Sequence, residues 1–420
     1  TYGVPLFQEQ VMKMAVAIAG FTPGEADELR RAIGWLSQIH IDRLRERLIN
    51  GMLNNGLSLP YADRIFRMIQ GFGGYGFPES HAASFALIGY ASCYLKRFHP
   101  AAFVAALLNS QPMGFYSPHT LVGDAERHGV EFRPPDVNIS GWDARLEAGD
   151  EEHHRAWWKQ AEHKAKHYCP WADYMKDDLQ YGMAVQPGVR LGFRSITGLG
   201  QGVAERIVAE REHRPFRGIA DVIARAEIPK DIAARLAAAD AFASFGVDRR
   251  EAMWRVLDRR TPLFAGVDTP DESNALPAMT ATDAMRADYG SMGLSVGLHP
   301  VALIREQLKL RSIRSYLDLE KIPHGSRVRV GGLAVTRQRP GTASGVVFMT
   351  LEDEFGHMNL VVFTPVYEKY KRVIRGTALL LAEGEVQRTG RVINVIVKRF
   401  APLGGEEYAA PEVSVSRTFF

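Results

Sequence analysis

The segment whose residue types and spacing point most directly to a chemical task is Ile196-Thr197-Gly198-Leu199-Gly200-Gln201-Gly202-Val203-Ala204, continued by Ile207 and Val208. Two glycines flanking one apolar residue make a hairpin between helices, and the backbone N–H groups opening the second helix can hold a phosphate without reading a base. Gly198, Leu199, Gly200, Gly202 and Arg206 are therefore expected DNA contacts of a helix-hairpin-helix. Arg190, Arg194, Arg211 and Arg214 nearby favour this over a plain glycine turn between core helices. Arg30-Arg31 follows Thr22-Pro23-Gly24-Glu25-Ala26-Asp27, a helix-opening segment, and paired guanidiniums suit a triphosphate because their planar forks bind phosphate oxygens bidentately. A solvated helix face with Glu28 as partner is the alternative there. A third basic group lies in two β-turn segments, Arg337-Gln338-Arg339-Pro340-Gly341-Thr342 and Gln387-Arg388-Thr389-Gly390-Arg391. There Arg337, Arg339, Arg388 and Arg391 would meet single-stranded nucleic acid, with Phe348 or Phe363 either stacking bases or filling a core.

Other constellations carry less. Gly71-Phe72-Gly73-Gly74-Tyr75-Gly76 fits G-x-G-x-x-G, but Asp63 to Gln70 before it reads as a helix, where a dinucleotide fold needs a strand. A glycine-rich break between helices fits better. His153, His154, His163, His167 and Cys169 suggest a metal, yet their spacing is irregular, so a solvated histidine-rich insert is expected and no metal ligand is assigned. A zinc-dependent enzyme built on that insert is the contrary reading. The sequence holds no D-x-D for two-metal nucleotidyl transfer and no G-K-[ST], so no catalytic residue is assigned either.

These residues must be positioned by several domains, since 420 residues, 46% hydrophobic and 24% charged, exceed one ordinary core. Two cysteines make no disulfide framework, and no run of about 18 apolar residues spans a membrane; a reducing, cytoplasmic setting is the expectation. The chain starts at Thr1 without a leader, so an upstream portion is expected. Net charge is +3, and the basic surplus falls in 190–260, with 14 Lys and Arg against 10 Asp and Glu, and in 321–410, with 13 against 8. That is compatible with a polyanion partner. Helical spacing runs from Phe7 to Leu108, as in Val11, Met14, Ala15 and Ile18. Short helices resume from Leu191 to Leu257. From Arg327 to Phe400 the period becomes two, predicting five strands with a helical interruption near 366–374, which is a small closed barrel.

The blocks Gln8-Glu9-Gln10-Val11-Met12, Ala26 to Ala32, Gly74 to Ala86 and Leu108 to Tyr116 resemble bacterial C-family DNA polymerases. Pro78-Glu79-Ser80-His81 is similar to their error-prone, damage-inducible branch. The resemblance continues through the hairpin, Gly297-Leu298-His299-Pro300 and the barrel, and it omits about 150–185. It implies a multidomain chain: helical fingers over 1–135, a connector with an insert over 136–189, a helix-hairpin-helix domain over 190–260, linker and docking helices over 261–320, an oligonucleotide-binding (OB-fold) barrel over 321–403 and a tail over 404–420. It also implies that Arg30 and Arg31 meet the incoming dNTP phosphates, with Gly76, Ser80 and His81 near the nucleotide pocket. Duplex primer-template would sit at the hairpin and single-stranded template at the barrel. The palm, with the aspartates that bind Mg²⁺, would lie upstream, making this the inactive C-terminal portion of a translesion polymerase. Relatives keep basic residues where this chain has Gly34-Trp35-Leu36. Leu263 and Phe264 stand where relatives carry a sliding-clamp peptide, without its leading Gln. Other mutagenesis proteins are further expected partners. A free-standing DNA-binding module is the competing account.

Overall fold

The computed structural model describes residues 7–34, 38–75, 79–114, 116–168, 185–257, 277–340, 343–390 and 392–403. They fall into two units: Thr1–Ser92 with Arg339–Val346, and Cys93–Gln338 with the chain from Val347 onward.

The first unit is built from helices α1 (Gln8–Ala19), α2 (Pro23–Gly34), α3 (Gln38–Asn54), α4 (Leu59–Tyr75) and the beginning of α5 (Glu79–Phe98). Val11, Ala15 and Ala19 repeat every fourth residue and pack with Phe21, Leu29, Leu48, Met52 and Ile65. Thr22 and Glu25 start α2 by a reciprocal exchange: the Glu25 N–H donates to Thr22 Oγ1 at 3.2 Å and the Thr22 N–H to Glu25 Oε2 at 2.7 Å. Pro23 at the first helical position has no N–H to strand. The close approach of α3 to the end of α1 requires Gly51, where a Cβ would lie 2.0 Å from the Ala19 carbonyl oxygen. Gly51→Ala is therefore expected to cost about 1–3 kcal/mol in urea denaturation; an unchanged midpoint would mean the crossing opens freely. Phe85, Leu87, Ile88 and Tyr90 on α5 are exposed.

The second unit begins with the end of α5, then α6 (Pro100–Asn109) and α7 (Pro118–Arg127). Three short strands, β1 (Phe132–Arg133), β2 (Arg145–Glu147) and β3 (Gly188–Arg190), form a sheet with β3 central, parallel to β1 and antiparallel to β2. The insert forms helix α8 (Glu151–Tyr168), whose Trp157 indole N–H donates to the Arg127 carbonyl at 3.2 Å. Next come α9 (Gln201–His213), α10 (Ile219–Arg225), α11 (Lys230–Ala238), α12 (Arg249–Leu257) and α13 (Ala281–Met292). One apolar core runs from Ala101 through Val137, Val189 and Phe193 to Val256 and Leu294, across the boundaries expected at 135/136 and 189/190.

Two short helices, α14 (Arg305–Leu310) and α15 (Tyr316–Leu319), lead into β4 (Arg327–Gln338), β5 (Val347–Asp353) and β6 (Gly356–Val362). Helix α16 (Thr364–Gly376) then crosses to β7 (Leu379–Thr389) and β8 (Val392–Pro402). The strands close in the order β4-β5-β6-β8-β7, with β6 and β8 parallel and the other pairs antiparallel. This is the five-stranded barrel with a helix before its fourth strand that the period-two pattern predicts, filled by Val330, Met349, Leu360, Leu380 and Val395.

Candidate nucleic-acid interface

The hairpin takes the shape its glycines require. Gly198 adopts φ +79, which disfavours a side chain, and a Cβ there would stand 3.1 Å from the guanidinium carbon of Arg235. Arg235 Nη1 donates to the Thr197 carbonyl at 2.6 Å, and the Thr197 N–H donates to the Ser291 carbonyl at 2.8 Å, so the residue that leads into the turn is fixed at both its amide and its carbonyl. Gly200 caps α9 in extended conformation, and Gly200, Gln201 and Gly202 are exposed where the first-turn N–H groups lack intrahelical acceptors. Leu199 turns inward and is buried, so its side chain anchors the hairpin; this corrects its expected role as a contact.

The arginines that favoured DNA at this hairpin are mostly committed inside the protein. Arg206 donates to the carbonyls of Ala226 at 3.0 Å and of Gly202 and Glu227 at 3.4 Å. Arg211 Nη1 bridges the Val137 and Ser140 carbonyls, both at 2.9 Å. Arg190 is bidentate to Glu147 at 3.0 Å, and Arg194 holds Asp143, Asn109 and Gln111. Arg214 faces Asp221 at 3.4 Å. A guanidinium with five donors suits several carbonyls left over at helix ends, and that use is indistinguishable by composition from phosphate binding.

Arg30 and Arg31 share one carboxylate on α2. Arg30 Nε donates to Asp27 Oδ1 at 2.9 Å and Arg31 Nη2 to Asp27 Oδ2 at 2.7 Å. The hydrogen bond from Arg30, and then that from Arg31, hold the Asp27 carboxyl below its ordinary range against the effect of burial. The acidic partner is thus Asp27 on the same face, and the Arg31 side chain remains 66% exposed. The backbone of Ser80 and His81 lies in the first turn of α5. Their side chains, and Gly76, Leu263, Phe264 and Arg391, lie outside the described residues. So do Cys169 and the side chains of His163 and His167, whereas His154 stacks beside Trp158 on α8.

On the barrel, Arg337 requires a correction. Its side chain is 1% exposed, and it donates from Nε to the Ile374 carbonyl and from Nη2 to the Thr377 carbonyl, both at 2.9 Å. It satisfies the C-terminal carbonyls of α16 and cannot reach a ligand. Arg337→Ala should lower the unfolding free energy by about 1–3 kcal/mol, the cost of buried carbonyls left unpaired, with oligonucleotide affinity of the folded chain unchanged. A lost affinity at unchanged stability would reverse this assignment. Arg388 similarly donates to the carbonyls of Leu319, Glu320 and Ile322. Arg339 is partly exposed, and Phe348 and Phe363 both stand at the surface, about half exposed, so neither fills the core.

A charged cluster that the motifs did not indicate lies where α7, α13 and β5 meet. His119 Nε2 is 3.0 Å from Glu352 Oε2, its Nδ1 is 3.1 Å from the Tyr289 hydroxyl, and Arg127 Nη1 donates to Glu352 Oε1 at 2.9 Å. Burial raises the Glu352 carboxyl, but the imidazoles of His119 and His357 beside it outweigh burial and hold it far below the usual range. Among the described residues, His119, His299 and Glu352 each bring one metal-ligating atom within 4.8 Å of the others. The Val301 N–H donates to His299 Nδ1 at 3.1 Å, which leaves the ring proton on Nε2, and both Glu352 oxygens are engaged. Two imidazoles and an occupied carboxylate do not fit Mg²⁺, which prefers oxygen ligands. The cluster is a buried ionic clamp. Burial also pushes His299 down to about 4, so it is neutral near pH 7. The signal that could have found the cluster is Gly297-Leu298-His299-Pro300, and nothing in its sequence names Glu352 as a neighbour.

Comparison with known proteins gives three family matches: the bacterial DNA polymerase III alpha subunit finger domain over residues 1–56, the helix-hairpin-helix motif over 129–252 and the OB-fold nucleic acid binding domain over 319–403. The error-prone DNA polymerase of Anaeromyxobacter sp. (strain K) is 46% identical over 96% of this chain and 34% of its own length. Those of Alkalilimnicola ehrlichii and Pseudomonas fluorescens are 44% and 45% identical, over 95% and 96% of this chain and 36% and 37% of their own lengths. The chain thus spans about a third of the length of the curated relatives it matches, and along nearly all of its own length it is similar to error-prone DNA polymerases.

Proposed function

We propose that this chain is the C-terminal, DNA-holding portion of an error-prone DNA-directed DNA polymerase that acts in damage-induced translesion synthesis. The observation that carries the reading is identity of 44–46% with error-prone polymerases along 95–96% of the chain. Arg30 and Arg31 meet the triphosphate of the incoming dNTP, with Gly76, Ser80 and His81 lining the nucleotide pocket. The exposed first turn of α9, from Gly200 to Gly202, holds duplex phosphates through backbone N–H groups, a contact that is independent of sequence. Leu263 and Phe264 engage the sliding clamp. The Mg²⁺ ions and the carboxylates that hold them belong to a palm outside this chain, in keeping with the absence of D-x-D and with a buried ligand cluster of the wrong donor type. The chain acts in the cytoplasm.

The test is primer extension and duplex anisotropy on the 420-residue chain and on a longer form carrying the upstream portion. The chain alone is expected to bind primer-template without extending it, and the longer form to extend it. Gly200→Val, whose side chain would project into the open space before the first turn of α9 and obstruct a phosphate there, should weaken duplex binding about tenfold, or roughly 1.4 kcal/mol. Extension by the chain alone would refute the placement of the catalytic carboxylates. A native polypeptide of 46.7 kDa in cells would favour a free-standing DNA-binding module.

A further inference from the structure

With Arg337 and Arg388 turned inward, six other cations of the barrel and of the segment leading into it gather on another face. A concavity of about 1000 Å³ lies along the outer side of β4, β7 and β8, bounded by the segment that leads into the barrel. Arg314, Lys321, Arg327, Arg329, Lys398 and Arg399 line it, against Asp318, Glu383 and Glu385. Six cations against three carboxylates leave a surplus of three in this groove, as large as the net charge of the whole chain.

Two of the carboxylates are already engaged. Glu383 receives Arg329 at 3.2 Å, and Asp318 accepts from the Ser315 N–H at 2.9 Å. Strand register places Arg327 opposite Glu385, and both Arg329 and Arg399 opposite Glu383, so three arginines face two carboxylates across the sheet. Arg314, Arg327, Lys398 and Arg399 are exposed and have no ion-pair partner among the described residues. Ile322, Pro323 and Val328 supply apolar surface between them. Three adjacent strands span about 10 Å, so the cations address a row of charges and not a single anion. A solvated cross-strand ladder would need no concavity and would carry no surplus.

We propose that the phosphodiester backbone of single-stranded nucleic acid runs across this β4-β7-β8 groove, held by Arg314, Arg327, Lys398 and Arg399. The proposal rests on the reading of the barrel as a nucleic-acid-binding domain, the description under which residues 319–403 match. It moves the contact from the expected loops to a strand face. The groove cations meet phosphates, so binding is insensitive to base sequence and sensitive to salt.

The test is fluorescence anisotropy of a labelled oligothymidylate with the whole chain across a salt series. Arg327→Glu combined with Lys398→Glu should weaken binding about tenfold or more and reduce the slope of log affinity against log salt by about 1.4, the loss of two phosphate contacts on a single strand. Thermal melting should fall only slightly, because both side chains are exposed and the one new repulsion, of Arg327→Glu against Glu385 across the strands, is solvated. Arg327→Lys with Lys398→Arg should keep both affinity and slope. Wild-type binding that survives the reversal, or that falls instead with Arg339→Glu, would overturn the groove while leaving the barrel reading intact. A wild-type chain that ignores oligothymidylate would overturn both. A polyglutamate that displaces the oligonucleotide at lower concentration than unlabelled oligothymidylate would overturn the groove as a nucleic-acid site and assign it to an acidic protein segment.

Discussion

Glu352→Gln is expected to lower the unfolding free energy by about 3–5 kcal/mol, the cost of removing one partner from a buried ion pair. The carboxylate is fully buried on β5 and receives Arg127 and His119 from α7. A glutamine keeps the shape but offers one acceptor oxygen where two were used, and it leaves the Arg127 guanidinium, 18% exposed, without its counter-charge. The measurement is urea unfolding followed by fluorescence. Replacing both partners, Glu352→Leu with Arg127→Met, should restore much of the loss, because an apolar pair of similar volume avoids desolvating either charge. A loss below about 1 kcal/mol would place the pair in the range of exposed salt bridges and end its role as a clamp. Double-mutant cycles between His119 and Glu352 would apportion the rest.

The barrel and the hairpin were legible because their signals are local. Alternation at Val328 and Val330 and the Gly198-Leu199-Gly200 turn follow from backbone geometry within a few residues. The destination of a long cation is not local. Arg337 reaches Ile374 and Thr377, and Arg211 reaches Val137 and Ser140, partners that periodicity cannot name. Every arginine near a glycine turn therefore looks like a phosphate ligand until its carbonyls are found. The groove was missed for the opposite reason: Arg314, Arg327 and Lys398 are scattered in sequence and become neighbours through strand pairing. Helix α5 shows a further limit, since apolar residues all round a helix give no preferred face. Helical spacing was legible there, but not that Phe85, Leu87, Ile88 and Tyr90 stand exposed.

Glu126→Gln should stabilise the protein in a strongly pH-dependent way. Burial pushes the Glu126 carboxyl up to about 8; Arg127 opposes the shift and the nearby Glu352 charge adds to it. In the unfolded chain a glutamate releases its proton near pH 4.3. Between that pH and about 8 the folded chain retains a proton that the unfolded chain has lost, so stability falls as pH rises and levels off above the folded value. A neutral glutamine escapes that penalty. The variant should match its parent near about pH 4 and exceed it by about 2–5 kcal/mol near pH 9. His299 acts in the other direction. With its value pushed down to about 4, the unfolded chain takes up a proton first as pH drops below about 6.5, and stability declines on that side. Comparing variant with parent at each pH cancels the His299 contribution and isolates Glu126. A difference that is constant with pH would refute a protonated Glu126. The same comparison made in Glu352→Gln should give a smaller gain, because one of the two influences that raise the carboxyl is then gone.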